Sequence, residues 1–239
     1  MPAATTFSSA NSPTGKGSQN AIIARLTDRP ASGAHIRATA PLAPRALLCA
    51  DPGRALALAQ ELLAEPRMFN HNHGLWGYSG AATVGDRGPL TIQSTGIGGP
   101  SAAVVLEELI ALGLERAVYV GEAIAIAAEP GLLIASRAIC EDGAARALAG
   151  GEGADVDGGL LAALRRAAPS AAVGAVVSAD LLYGEPAPQR RLTAGALAFD
   201  MQAATLIALG AARARPVGCL LAIGGDGLAA AARAAVLAL

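Results

Sequence analysis

Apolar residues fall along this chain in two alternating rhythms. Short apolar runs, "RALLCA" (45–50), "RAVYVGEAIAIA" (116–127), "GLLIASRAIC" (131–140) and "PVGCLLAIGG" (216–225), read as buried strands. "AAVGAVVSADLLY" (171–183) reads as another strand, ending in polar residues. Between them lie segments with apolar residues at helical spacing: "DPGRALALAQELLAEP" (51–66), "AAVVLEELIALGL" (102–114), "GADVDGGLLAALRRAAP" (153–169), "TAGALAFDMQAATLIALGAARA" (193–214) and "LAAAARAAVLAL" (228–239). Residues 74–94 read as a β-hairpin with Gly85-Asp86 near its turn. Strand–helix alternation predicts one α/β domain over residues 34–239, a three-layer αβα arrangement around a twisted, mixed central sheet with many parallel pairs. In such sheets ligands sit beyond the carboxyl ends of the strands. The positions to inspect are therefore Asp51 to Arg54, Thr95 to Ser101, Gly121 and Glu122, Ser178 to Tyr183, and Gly224 to Asp226.

Residues 1–33 show no apolar period and are rich in Ser, Thr, Ala, Pro and Gly, which predicts a disordered tail. They contain no apolar core of a secretory signal, and no apolar run reaches about 18 residues, so a cytoplasmic protein without a membrane span is expected. A net charge of −1 argues against a nucleic-acid partner. Charged residues make up only 15% of the chain, and a self-association interface would explain so lean a surface. Cys49, Cys140 and Cys219 lie in or beside apolar runs without C-x-x-C spacing and read as buried thiols of a reducing compartment. His71 and His73, two residues apart with no third ligand nearby, do not make a metal site.

Candidate chemistry centres on "STGIGGPS" (94–101), a glycine-rich turn between a strand and a helix. A dinucleotide fingerprint is one reading, and Glu122 even ends the next strand. Against it, Ser101 stands at the third glycine position, and the motif comes late in the domain rather than opening it. A tight turn without a ligand is a second reading. The third is an anion site, in which backbone N–H groups at the helix N-terminus hold a phosphate or carboxylate.

"STGIGGPSAAVVLEELIALG" resembles the turn-and-helix signature of the nucleoside phosphorylase family, closest to its uridine phosphorylase branch. Other segments resemble family landmarks in the same order: "GAHIRA", "ADPGRA", "EDGA", "SADLLY", "FDMQAATL" and "IGGD". The resemblance covers residues 33 to 230. It implies cleavage of the N-glycosidic bond of uridine or purine nucleosides by phosphate, giving ribose 1-phosphate and free base, in a homodimer or hexamer. Phosphate is then a co-substrate and no cofactor is needed. A non-catalytic nucleoside- or base-binding homologue, or a nucleosidase in which Glu122 activates water, is the alternative.

Carried over by resemblance, Arg54 holds phosphate and is catalytic, with Thr95 and Gly96 from the glycine turn. Tyr119, Glu122 and His73 stand where the family has, in order, a second arginine, a hydroxyl residue and a third arginine lent by a neighbouring subunit. Two unit charges 4 Å apart interact by about 4 kcal/mol at an effective dielectric of about 20, so Glu122 is expected to offset what Arg54 gives a phosphate. Asp200 and Gln202 replace the family's two ribose-binding glutamates around Met201, and His35 resembles the histidine that crosses the dimer to the 5′-hydroxyl. Leu182 replaces a stacking phenylalanine, Tyr183 is kept, and Pro186 and Pro188 stand where uracil would be read. Asp226 resembles the aspartate that protonates purine N7, and a helix cap is its other reading.

Overall fold

The computed structural model describes residues 33–183, 195–225 and 227–239. Its centre is β1 (Arg45–Cys49), all five residues buried. Alternate side chains of this strand serve two separate cores: Ala46 and Leu48 enter one, Leu47 and Cys49 the other. A strand apolar on both faces must be covered on both sides, hence the three layers. After β1 the chain turns at Asp51, whose Oδ1 accepts from the Arg54 N–H at 2.8 Å, and Pro52 opens α1 (Pro52–Leu62). Both residues are favoured where they stand, Asp as an N-cap and Pro in a first turn whose N–H needs no partner.

The helix expected through Pro66 ends at Leu62 instead. Residues from Leu63 pair with their neighbours as β2 (Leu63–Asn70), antiparallel to β3 (Gly77–Ala82), which is antiparallel to β4 (Pro89–Ser94). Pro66 is tolerated because β2 is the last strand of the sheet order, where a missing N–H costs no ladder bond. The pairing slips between Ala64 and Arg67, and Glu65 there takes φ 48°. The expected hairpin is thus the end of a three-stranded meander.

Beyond it run α2 (Gly98–Ala111), β5 (Arg116–Ala125), β6 (Gly131–Cys140), α3 (Gly143–Ala149), β7 (Gly153–Asp155) and α4 (Gly158–Ala167). They are followed by β8 (Ala172–Ser178), β9 (Ala196–Asp200), α5 (Ala203–Ala212), β10 (Val217–Ile223) and α6 (Leu228–Ala238). The short α3 and β7 carry too little periodicity to be read from sequence. The long helix expected over 193–214 is corrected more substantially. Residues Ala196–Asp200 form a strand between β8 and β5, and the helix starts only at Ala203. Alanine and leucine fit a buried strand as readily as a helix, so tertiary pairing decides.

The sheet is mixed, as expected. β1 is parallel to β4 and β5, β5 to β10, β6 to β8 and β8 to β9, whereas β5–β9, β6–β10 and the β2–β3–β4 edge are antiparallel. The ten-residue β5 pairs with β1 and β10 and then, at Ile124 and Ala125, with β9. The strands β5, β10, β6, β8 and β9 therefore close on one another, with Val177, Ala196 and Phe199 forming a small core of their own. Helices α2, α3 and α5 cover one face, α1, α4 and α6 the other.

The junction of β9 and α5 is fastened by one buried carboxylate. Asp200 accepts from Ser178 Oγ at 2.5 Å, from the Gln202 N–H at 3.2 Å and from the Ala203 N–H at 3.0 Å. Burial raises its pKa from 3.8 to about 6, although these donors pull it down.

Two stability outcomes are expected. Between about pH 4 and pH 6 the folded chain holds a proton on Asp200 that the unfolded chain has lost. Stability therefore falls as pH rises through that window, by up to about 3 kcal/mol from this group. Asp200→Asn should flatten that part of the pH profile in urea unfolding. A Cβ on Gly210 would meet Val217 Cγ2 at 2.6 Å and the Arg215 carbonyl at 2.7 Å. Alanine gains up to about 1 kcal/mol in helix propensity, but overpacking costs about 1–3 kcal/mol. Gly210→Ala should lower the urea midpoint at unchanged slope.

Candidate active site

The carboxyl ends of β1, β5 and β9 open on a cleft of about 430 Å³. Its base is made by Cys49, Tyr119 and Phe199, and its walls by Asp51 and Arg54 from the start of α1, Ile97 and Gly98 from the start of α2, Gly121, Glu122 and Ile124 from β5, Leu182, and Asp200 to Gln202. Four of the five strand-end positions singled out from sequence therefore converge here. Gly224 and Gly225 do not line it, and Asp226 lies outside the described residues, as do Pro186 and Pro188.

Arg54 is the one cationic side chain lining the cleft among the described residues. Its Nη2 donates to Glu122 Oε1 at 2.7 Å, with the side chains 40% and 54% exposed. Glu122 thus engages the guanidinium directly, a closer relation than the opposing charge expected from sequence. Thr95 and Gly96 do not line the cleft. Their N–H groups are donated to the Cys49 and Ala50 carbonyls at 2.8 and 3.0 Å. Gly96 has φ 73°, and a Cβ there would strike Ser101 Oγ, so this position needs glycine. The α2 N-terminus beside them, with Ile97 as N-cap, carries no side-chain cap.

On the opposite wall Gln202 is buried and held at both ends of its amide. Oε1 lies 2.6 Å from the donating Thr95 Oγ1, and Nε2 donates to the Gly96 carbonyl at 3.3 Å. Asp200, Met201 and Gln202 are therefore not points along a helix but a strand end and the two-residue turn after it, which is why all three reach the cleft. Leu182 also lines it, whereas Tyr183 is 85% exposed and does not.

His35 and His73 lie outside the cleft, together in a second groove on the other side of the glycine turn with Pro100, Ser101 and Val104. Their rings are 4.9 Å apart. His35 Nδ1 is 2.8 Å from Glu108 Oε1, and the His35 and Ile36 N–H groups donate to the same carboxylate. Burial pushes the Glu108 pKa up, but these donors outweigh it and hold it below the usual value.

Burial, with Asp51 adding to it, pushes the Cys49 thiol up to about 12. The sulfur at the base of the cleft is therefore protonated and is no nucleophile. Tyr119 is likewise pushed well up by burial, then by the charge of Asp200, and stays a neutral phenol. All three cysteines are buried and free. Among the described residues no three His, Cys, Asp or Glu side chains are grouped to hold a metal, and no helix is long and apolar enough to cross a membrane.

Sequence reasoning missed a polar network under the glycine turn. Asp142 is wholly buried. Its Oδ1 accepts from Thr205 Oγ1 at 2.5 Å and from the Ala145 N–H at 2.8 Å, and a Cβ on Gly99 would collide with both side chains. Asp142-Gly143 directly after a strand is an N-cap signal that could have found it.

The sequence profile of the Phosphorylase superfamily matches residues 44–237. A uridine phosphorylase of Treponema pallidum is 31% identical over 203 residues, 75% of this chain and 76% of that one. A guanosine phosphorylase of Halorubrum lacusprofundi is 31% identical over 76% of this chain and 78% of its own length. A uridine phosphorylase of Thermococcus kodakarensis is 33% identical over 56% and 57% of the two chains. With the mixed α/β architecture and a cleft at the strand ends that carry the family's landmarks, these matches establish that the chain belongs to the phosphorylase superfamily, a family of glycosyltransferase-type enzymes.

Proposed function

We propose that the cleft binds uridine or a purine nucleoside and that phosphate cleaves its N-glycosidic bond. A phosphate oxygen bonds to C1′, the C–N bond breaks with its electron pair passing to the base, and ribose 1-phosphate and free base leave. The observation that carries this reading is Arg54, set by the capped start of α1 on the cleft wall next to the start of α2. A guanidinium and a helix N-terminus are together suited to an oxyanion. The volume suits a nucleoside. Leu182, Phe199 and Met201 offer apolar faces for base and sugar, and Gln202 is the polar group nearest a sugar hydroxyl. Support also comes from relatives whose names are uridine phosphorylase and guanosine phosphorylase.

We assign the proton for the departing base to Asp226, on its place in "IGGDG" alone. His35 and His73, with exposed Ile97 and Val104 around the same turn, are suited to meeting a second copy and serving that copy's cleft.

The ion pair of Arg54 with Glu122 favours a second reading, in which water rather than phosphate attacks. Base release from a panel of nucleosides, followed with and without added phosphate, separates the two. Release that requires phosphate is expected. Release at the same rate without it makes the protein a nucleosidase, and binding without release makes it a nucleoside-binding homologue. Arg54→Ala should lower phosphate-dependent kcat/KM by about 10²-fold while the melting temperature hardly moves, since Arg54 is 40% exposed. Light scattering at micromolar concentration should give a dimer or larger, and a monomer would remove the role given to His35 and His73.

A further inference from the structure

We propose that Glu122 makes the anion end of the cleft selective for an oxyanion that carries a proton, admitting phosphate and refusing sulfate. The inference rests on the reading of this cleft as a phosphate site and adds the residue that chooses the anion. Arg54, the one cation lining the cleft among the described residues, already has a carboxylate on it at 2.7 Å. An incoming tetrahedral anion that engages Arg54 Nη2 takes its place between that group and Glu122 Oε1.

The neighbouring groups narrow what can do so. Asp51, on the same wall, adds negative charge, and its Oδ1 is occupied by the Arg54 N–H. The Thr95 and Gly96 N–H groups are spent on the end of β1. An entering anion therefore meets one guanidinium and one carboxylate side by side, next to the start of α2, which no side chain caps. A carboxylate only accepts hydrogen bonds, whereas a guanidinium only donates them. Hydrogen phosphate and sulfate have the same charge and nearly the same shape, but only phosphate carries an O–H. Phosphate can accept from Arg54 and donate its own proton to Glu122, so the displaced carboxylate becomes a partner. Sulfate brings acceptor oxygens alone and leaves Glu122 facing them without a proton between.

Calorimetric titration of the full chain with sodium phosphate and with sodium sulfate at matched ionic strength tests this. Phosphate should bind about tenfold or more tightly than sulfate, the size expected of one hydrogen bond to a charged group. In Glu122→Gln the neutral amide can donate as well as accept, so the ratio should shrink to within about twofold, chiefly through tighter sulfate binding. Arg54→Gln should remove binding of both anions. Glu122→Thr gives the same reading with a smaller neutral side chain should the glutamine variant melt early. Equal binding of the two anions by the unaltered protein overturns the inference, as does an unchanged ratio in both Glu122 variants or a failure of phosphate to bind. Anion selectivity without cleavage of any nucleoside overturns the proposed reaction alone. Phosphate-dependent cleavage without selectivity overturns this inference alone.

Discussion

The wholly buried Asp200 carboxylate is the constraint on which the rest of the cleft depends. It ends β9, takes the Ser178 hydroxyl from the end of the neighbouring β8, and takes the first amides of α5. Ser178 Oγ in turn accepts from the Ala204 N–H at 2.9 Å. Two strand ends and a helix start are thereby held in one place. A carboxylate so nearly out of water is tolerated because a hydroxyl and two backbone N–H groups donate to it. Gln202, two residues on, carries the same rigidity across to the glycine turn through Thr95 and Gly96. The opposite wall is set by Asp51 at the start of α1, so each side of the cleft is positioned by an aspartate capping a helix.

Closure of the strands around β5 supplies the room. A flat sheet would spread its carboxyl ends along a line. Here β5 is long enough to leave β1 and reach β9, which brings Ile124 opposite Phe199, with Glu122 and Asp200 lining the same cleft. The resulting space is bounded on several sides by strand ends and helix starts rather than by mobile side chains. The polar groups that shape it are largely committed to one another. Thr95, Gly96 and Gln202 hold the turn, and Arg54 is paired to Glu122. The cleft is preorganised in shape, and its one cation is already paired with a carboxylate.

The two histidines illustrate how geometry redistributes residues that sequence order groups together. His35 and His73 share the glycine turn with the cleft but face away from it, and Glu108 of α2 anchors the His35 segment. Within one chain they form a separate groove.

Much of this was legible in the sequence. The buried strands, the helices α1, α2, α4 and α6, the hairpin and the strand-end positions of the cleft all follow from short-range periodicity and from Pro, Gly and Asp at element ends, which act within a few residues. The ordered resemblances pointed to the same cleft residues, Arg54, Glu122, Leu182 and Asp200 to Gln202. Tertiary structure alone decided the rest. Residues 196–200 became a strand because β8 and β5 offered two unpaired edges, and an Ala- and Leu-rich segment has no strong local preference to resist them. Residues 63–70 left the helix because β3 offered another edge. The pairing of Arg54 with Glu122 joins residues 68 positions apart, and that of Thr95 with Gln202 joins residues 107 apart. No local pattern encodes such contacts, since they depend on how the strands cross, which is a property of the closed sheet.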